Sequence, residues 1–118
     1  MSFNTTIREN LEGILGKDWV KDDQVTLFTY RCDGLTLHTA LPMGVVFPET
    51  VKELVSVIKL FYKKKISFLA RGAGTGLSGG ALPLADAITL GLSKFNQILD
   101  IDFANRCVIT QPGVTNLA

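Results

Sequence analysis

Histidine is almost missing from this chain, with His38 the one example in 118 residues, and cysteine is limited to Cys32 and Cys107. The two cysteines stand 75 positions apart with no CxxC pattern and no histidine cluster beside them. A zinc site or a thioredoxin-type motif therefore has no support, no metal ligands are expected, and reduced, buried thiols are the default. Charge of one sign is lacking too: 12 basic residues against 11 acidic give a formal net charge of +1, and nothing in the totals points to nucleic acid or anionic lipid. No apolar run approaches the roughly 18 residues that span a bilayer. Met1 to Asn10 lacks a basic segment followed by an apolar core, so no secretory leader is read there. These absences lead to the expectation of a soluble, cytoplasmic protein. The length suits one domain, whose folding would bury roughly two-thirds of its unfolded surface.

What the chain does have is glycine, 11 in all, and five of them fall within RGAGTGLSGG, residues 71–80. Each costs about 0.5 to 1 kcal/mol where the backbone is regular, so such a cluster implies a tightly curved path or a surface that something approaches closely. A flexible linker would be polar on both sides. This stretch instead follows the apolar run Ile66 to Ala70 and begins with the charged Arg71.

The surrounding pattern places the cluster. Ile7, Leu11, Ile14 and Leu15 recur at helical spacing after Asn4, Thr5 and Thr6, any of which can cap, with Gly13 and Gly16 marking the end. From Asp18 to Asp33 no firm element emerges. Met43 to Phe47 reads as a strand. Thr50 then caps a helix whose apolar stripe is Val51, Leu54, Val55, Ile58, Phe61 and Tyr62, closed by Lys63, Lys64 and Lys65. Cations at a helix C-terminus complement its dipole, and no aromatics interleave with them, so the lysines read as a helix end and not as a nucleic-acid patch. Ile66 to Ala70 completes a strand-helix-strand unit, expected to be parallel. Ala87 to Leu92, Gln97 to Asp102 and Arg106 to Gln111 read as three further short strands. Pro112 and Gly113 turn the chain, and 114–118 reads as the first turn of a helix capped by Thr115. The fold class is α+β.

A glycine-rich turn after a strand brings several backbone N–H groups to one point, which suits an anion such as phosphate. Three loop types can be tested by spacing. A Walker A loop fails, because Gly80 stands where lysine must follow Gly79. The pattern G-x-G-x-x-G is met by Gly74, Gly76 and Gly79, with Asp100 or Asp102 near the place of a ribose-binding acid. That motif also needs a helix opening at the loop, which Gly79, Gly80 and Pro83 oppose. A loop that binds phosphate through main-chain amides alone remains.

ARGAGTGLSGGALP, preceded by PMGVVFPET and followed by FNQILDID and QPGVTNLA, resembles the start of the FAD-binding domain of the vanillyl-alcohol oxidase and para-cresol methylhydroxylase (PCMH) superfamily. The nearest branch is that of the glycolate oxidase D-subunit and the FAD-linked D-lactate dehydrogenases. The resemblance runs from about Pro42 to Ala118. It implies the first half of a PCMH-type FAD-binding domain over residues 39–118, behind an N-terminal helical or irregular extension of residues 1–38. It implies that Arg71 ends the strand and that Gly72, Ala73, Gly74, Thr75, Gly76, Leu77, Ser78 and Gly79 wrap the FAD pyrophosphate, with Gly113 a weaker contact near the cofactor. Some relatives carry a histidine at the position of Thr75 and attach flavin to it covalently, so the threonine implies non-covalent FAD.

The resemblance further implies an N-terminal part of an enzyme that oxidises a 2-hydroxy acid, glycolate or D-lactate in type, with other oxidase subunits as partners and any membrane attachment made through them. No catalytic residue is expected in this part, because flavin supplies the hydride chemistry and the family's substrate groups lie further along the chain. Alone, the chain is expected to be inactive. The alternative is a non-catalytic truncated product with weak nucleotide binding at most. His38 reads as a surface histidine, and Asp100 and Asp102 as strand-end acids.

Overall fold

A computed structural model describes residues 3–116. Helix α1, Thr5–Leu15, starts where the Asn4 side chain accepts the Ile7 N–H at 2.9 Å, and it ends at Gly16 with φ 86°. Ile7, Leu11 and Leu15, four residues apart, form its buried face. A 3-10 turn, Lys17–Trp19, leads to strand β1, Val20–Lys21, and Asp23 then caps helix α2, Gln24–Thr29. These three short elements occupy the stretch in which the sequence pattern places none.

Strand β2, Gly44–Val46, precedes helix α3, Val51–Lys64. The α3 start is a reciprocal cap: Thr50 Oγ1 accepts the Glu53 N–H at 3.1 Å while the Glu53 carboxylate accepts the Thr50 N–H at 3.3 Å. Lys65 ends the helix in the left-handed region, φ 54°. The stripe expected on α3 is only partly the buried one. Val57 and Phe61 are buried with Leu54 and Leu60 packed beside them, whereas Val51, Val55, Ile58 and Tyr62 are exposed. Apolar residues cover more of this helix than one face can bury, so periodicity alone merges two faces into one.

Strands β3, Ser67–Arg71, and β4, Ala87–Gly91, follow, and then β5, Ile98–Asp102, and β6, Cys107–Thr110. The first sheet has the order β1-β2-β4-β3, with β1 antiparallel and the other pairs parallel. Strand β4 thus enters between β2 and β3. Every one of its residues is buried, as a central parallel strand requires. Val46, Ile88 and Leu90 on this sheet join Ile7, Leu11 and Leu15 of α1 and Val57 and Phe61 of α3 in one core. The α1 helix and β1 strand of the N-terminal stretch are therefore structural parts of that core and sheet.

Strands β5 and β6 form a separate antiparallel hairpin with a register irregularity between Ile98 and Asp100. Residues 114–116 are not helical, and the rest of the expected helical turn lies outside the described residues. The class is α+β, built on the strand-helix-strand unit β2-α3-β3 with further short strands. Among the described residues, no helix is long and apolar enough to cross a membrane.

Candidate functional site

The glycine loop leaves the carboxyl end of β3, the side of a parallel sheet where ligand sites gather. Two of its residues need glycine for backbone reasons, Gly74 at φ 73° and Gly79 at φ 82°. Others do not. A Cβ on Gly76 or Gly80 would meet nothing within 4 Å, and neither has a positive φ, so the protein's own packing gives no reason for either to be glycine.

The loop is held at its ends and through one carbonyl at its middle, while most of its amides stay without partners among the described residues. Among the described residues, the backbone N–H groups of Gly72, Ala73, Gly74, Thr75, Gly76, Leu77 and Ser78 donate to no protein acceptor. Gly79 differs from these, because its N–H donates to Asp33 Oδ2 at 3.0 Å. The Gly76 carbonyl accepts the Gly34 N–H at 2.9 Å, so its amide and carbonyl serve opposite sides. Behind the loop, Arg71 Nη1 donates to the carbonyls of Cys32 at 2.7 Å and Ala81 at 3.3 Å. Its guanidinium lies 5.0 Å from the centre of the Tyr30 ring and against the place a Cβ on Gly74 would fill. Burial pushes the Tyr30 phenol above its ordinary value, and the Arg71 charge pulls against that shift.

Beside the loop lies a cleft of about 460 Å³ lined by Gly72, Ala73, Ser93, Asn96, Ile98, Gly113, Val114 and Thr115. It adjoins a second of about 450 Å³ lined by Ala73, Thr75, Pro112, Gly113, Val114, Thr115 and Asn116. No lining residue of either carries a formal charge. Arg71 is the cation nearest in sequence to the exposed amides, and it approaches them from behind. A larger hollow of about 560 Å³ lies between the end of α3 and β3, lined by Ile58, Phe61, Tyr62, Lys63, Lys65, Ile66 and Phe68. It lies at the amino end of β3, away from the glycine loop, and is the poorer candidate.

Gly72, Ala73 and Thr75 share the two clefts with Gly113, Gly74, Gly76, Leu77 and Ser78 line neither, and the residues from Arg71 to Gly79 have separate tasks. Gly113 donates its N–H to the Phe95 carbonyl at 2.7 Å, and a Cβ there would run into the carbonyl oxygens of Leu92 and Phe95. Its amide is therefore engaged within the protein, as is that of Gly79. His38 is exposed on the segment after Gly34, and Asp100 and Asp102 lie on the exposed hairpin. Asp102 accepts from the side chain and backbone N–H of Asn105, which holds its carboxyl below the ordinary aspartate value. Sequence reasoning missed Tyr30, Cys32, Asp33 and Gly34. Their one local signal is an Asp-Gly pair, which on its own reads as a turn.

A profile described as FAD binding domain matches residues 42–118. The chain is 40% identical over 92 residues to glycolate oxidase subunit GlcD of Escherichia coli K12, covering 78% of this chain and 18% of that protein. It is 41% identical over 71 residues to D-lactate dehydrogenase of Archaeoglobus fulgidus, covering 60% of this chain and 16% of that protein. The chain thus spans about a fifth of the length of these curated relatives. Among solved structures it superposes on p-cresol methylhydroxylase with a TM-score of 0.79 and 28% identity, covering 93% of this chain and 22% of that one. Alkyldihydroxyacetonephosphate synthase gives the same score at 17% identity and speaks for the fold alone. The matched span takes in β2, α3, the glycine loop and the hairpin, the profile over it is that of an FAD-binding domain, and the superposition is on a p-cresol methylhydroxylase: the chain belongs to the PCMH-type FAD-binding family.

Proposed function

We propose that the loop from Gly72 to Ser78 is the seat of the FAD diphosphate, and that the chain is the N-terminal part of an FAD-dependent oxidoreductase acting on a 2-hydroxy acid of the glycolate or D-lactate type. One observation carries the loop assignment. Seven consecutive main-chain N–H groups have no protein acceptor among the described residues, on a loop whose Gly76 and Gly80 have no packing reason to lack a side chain. A nest of amides suits a doubly charged linkage, and bare glycine surface lets that linkage come close. The half-buried Arg71 guanidinium behind Gly74 adds a fixed positive charge on the same side of the balance.

The family's cofactor fits these residues. The Gly72–Ser78 amides would hold the diphosphate, with the Thr75 hydroxyl a further donor, and Gly113 would wall the cleft by its backbone without its N–H. Arg71 and Gly79 serve from beneath. FAD, when bound, supplies the acceptor for hydride. Thr75 offers no ring nitrogen for attachment, which supports non-covalent FAD. The uncharged cleft supports binding and placement, since it presents no acid or base to a substrate. In this reading residues 39–118 are the FAD-binding part, 1–38 an extension folded onto it, and the 2-hydroxy acid and other oxidase subunits are met by the protein beyond these groups.

The test is a titration of the ¹⁵N-labelled chain followed by the amide resonances. FAD and ADP are expected to shift the signals of Gly72 to Ser78, and adenosine, which lacks the diphosphate, to leave them in place. Shifts induced elsewhere, or equally by adenosine, would refute the assignment.

A further inference from the structure

We infer that Asp33 is a positioning residue for the glycine loop, and that the 30–34 segment is the clamp that gives the loop its ligand-ready curvature; this rests on the diphosphate reading above. Asp33 is one of two buried polar residues among the described residues, 7% exposed, and each of its carboxylate oxygens accepts a backbone N–H. Oδ1 accepts the Leu35 N–H at 3.0 Å and Oδ2 accepts the Gly79 N–H at 3.0 Å. The first bond closes a local turn and fixes the carboxylate to its own backbone. The second reaches 46 residues along the chain to the far end of the loop.

The next residues reinforce it. Gly34 donates to the Gly76 carbonyl at 2.9 Å and packs so closely that a Cβ would stand 2.5 Å from the Thr75 carbonyl oxygen. Cys32 offers its carbonyl to Arg71, which also holds the Ala81 carbonyl. The segment therefore grips the loop before it starts, at its middle and at its end. These grips occupy the Gly76 carbonyl and the Gly79 N–H, and they leave the amides from Gly72 to Ser78 without a protein acceptor among the described residues. A buried carboxylate beneath an anion site would repel the anion if it were bare. Here two N–H groups solvate its oxygens, and the Arg71 guanidinium, bonded to the carbonyl of the adjacent residue, sets an opposite charge nearby that offsets the repulsion.

The experiment uses the ¹⁵N-labelled chain and its Asp33→Ala and Asp33→Asn variants, with two readouts. Without ligand, amide hydrogen exchange at Leu35 and Gly79 is expected to be slow in the wild type and fast in D33A, whereas D33N, whose single amide oxygen can accept only one of the two N–H groups, should keep at most one of them slow. The resonances of Gly72 to Ser78 should move in D33A while those of Ile88 and Leu90 stay. With ADP as the probe, affinity should fall about 10- to 100-fold in D33A, the worth of a charge-assisted buried hydrogen bond. D33N, which keeps one acceptor of the two, should fall between D33A and the wild type. Loop resonances unmoved in D33A, or ADP affinity unchanged in D33A while the wild type binds, would overturn the clamp. A wild type that ignores ADP sinks the diphosphate reading instead and with it the ligand-ready part of the inference, while the unliganded exchange still decides whether Asp33 shapes the loop. Should D33A fail to fold, Asp33→Glu takes its place. It keeps the charge but moves it by one methylene, so unchanged loop shifts and unchanged ADP affinity in D33E overturn the inference equally.

Discussion

Gly76 and Gly113 are small for opposite reasons, and the difference can be measured. A methyl group on Gly113 would run into the Leu92 and Phe95 carbonyls, whereas one on Gly76 would enter open space. Gly113→Ala is therefore expected to destabilise the fold by about 1 to 3 kcal/mol, as overpacking does. Gly76→Ala should leave the melting temperature unchanged or raise stability by about 0.4 to 1 kcal/mol, since alanine restricts the unfolded chain. The same Gly76→Ala change should weaken ADP binding, because the methyl group stands where the diphosphate approaches. Thermal melts with and without ADP check both. Equal destabilisation by the two variants would show that Gly76 is structural. The place of the glycine loop after β3 is legible in the sequence because spacing and flanking strands are local properties. Asp33 is not legible there, because its meaning depends on a partner 46 positions away.

At the scale of elements, helix α2 shows what local patterns miss. It has six residues, too few for an amphipathic period to declare itself, and its start depends on one side chain. Asp23 accepts the Thr26 N–H and the Thr26 hydroxyl, each at 2.9 Å, and the backbone bond first, then the side-chain bond, hold its carboxyl below the usual 3.8. A carboxylate whose folded value is depressed stabilises at every pH above its unfolded value and loses that contribution as pH falls through the folded one. Amide exchange at Thr26 should therefore be protected at pH 6 and lose protection as the pH drops below 3.8. Asp23→Asn, which keeps an acceptor without a titrating proton, should flatten that dependence, and an unaltered pH profile in the variant would assign the effect to another group. The helices α1 and α3 and the strands β2 to β6 are recoverable from periodicity, caps and β-branched runs. The insertion of β4 between β2 and β3 is not, since strand order is decided by long-range pairing that no local pattern encodes. The two apolar faces of α3 pose the same problem: which of them is buried depends on α1 and the sheet.

For the molecule as a whole, the two sheets differ in how firmly they are held, and the candidate cleft lies where they meet. Strand β4 is paired on both edges and buried throughout. The β5-β6 hairpin pairs only with itself and exposes Ile98, Leu99, Ile101, Val108 and Ile109, and a two-stranded hairpin in water is marginal. One wall of the cleft, Gly72 and Ala73, belongs to the loop clamped on the first sheet, while Ile98 belongs to the hairpin and Asn96 and Gly113 to its flanks. A ligand that spans the two walls must order the looser one, and by linkage it then stabilises it. Amide exchange in β5 and β6 should be fast beside that of Ile88 to Leu90 in the free chain. Addition of ADP at about 100 times its dissociation constant should slow hairpin exchange by up to about 100-fold, the effect of some 2.7 kcal/mol, and leave β4 unaltered. Loop resonances that shift under ADP while the hairpin continues to exchange at its free rate would mean that the diphosphate engages one wall only, so that the order of the second sheet must come from contacts other than this ligand.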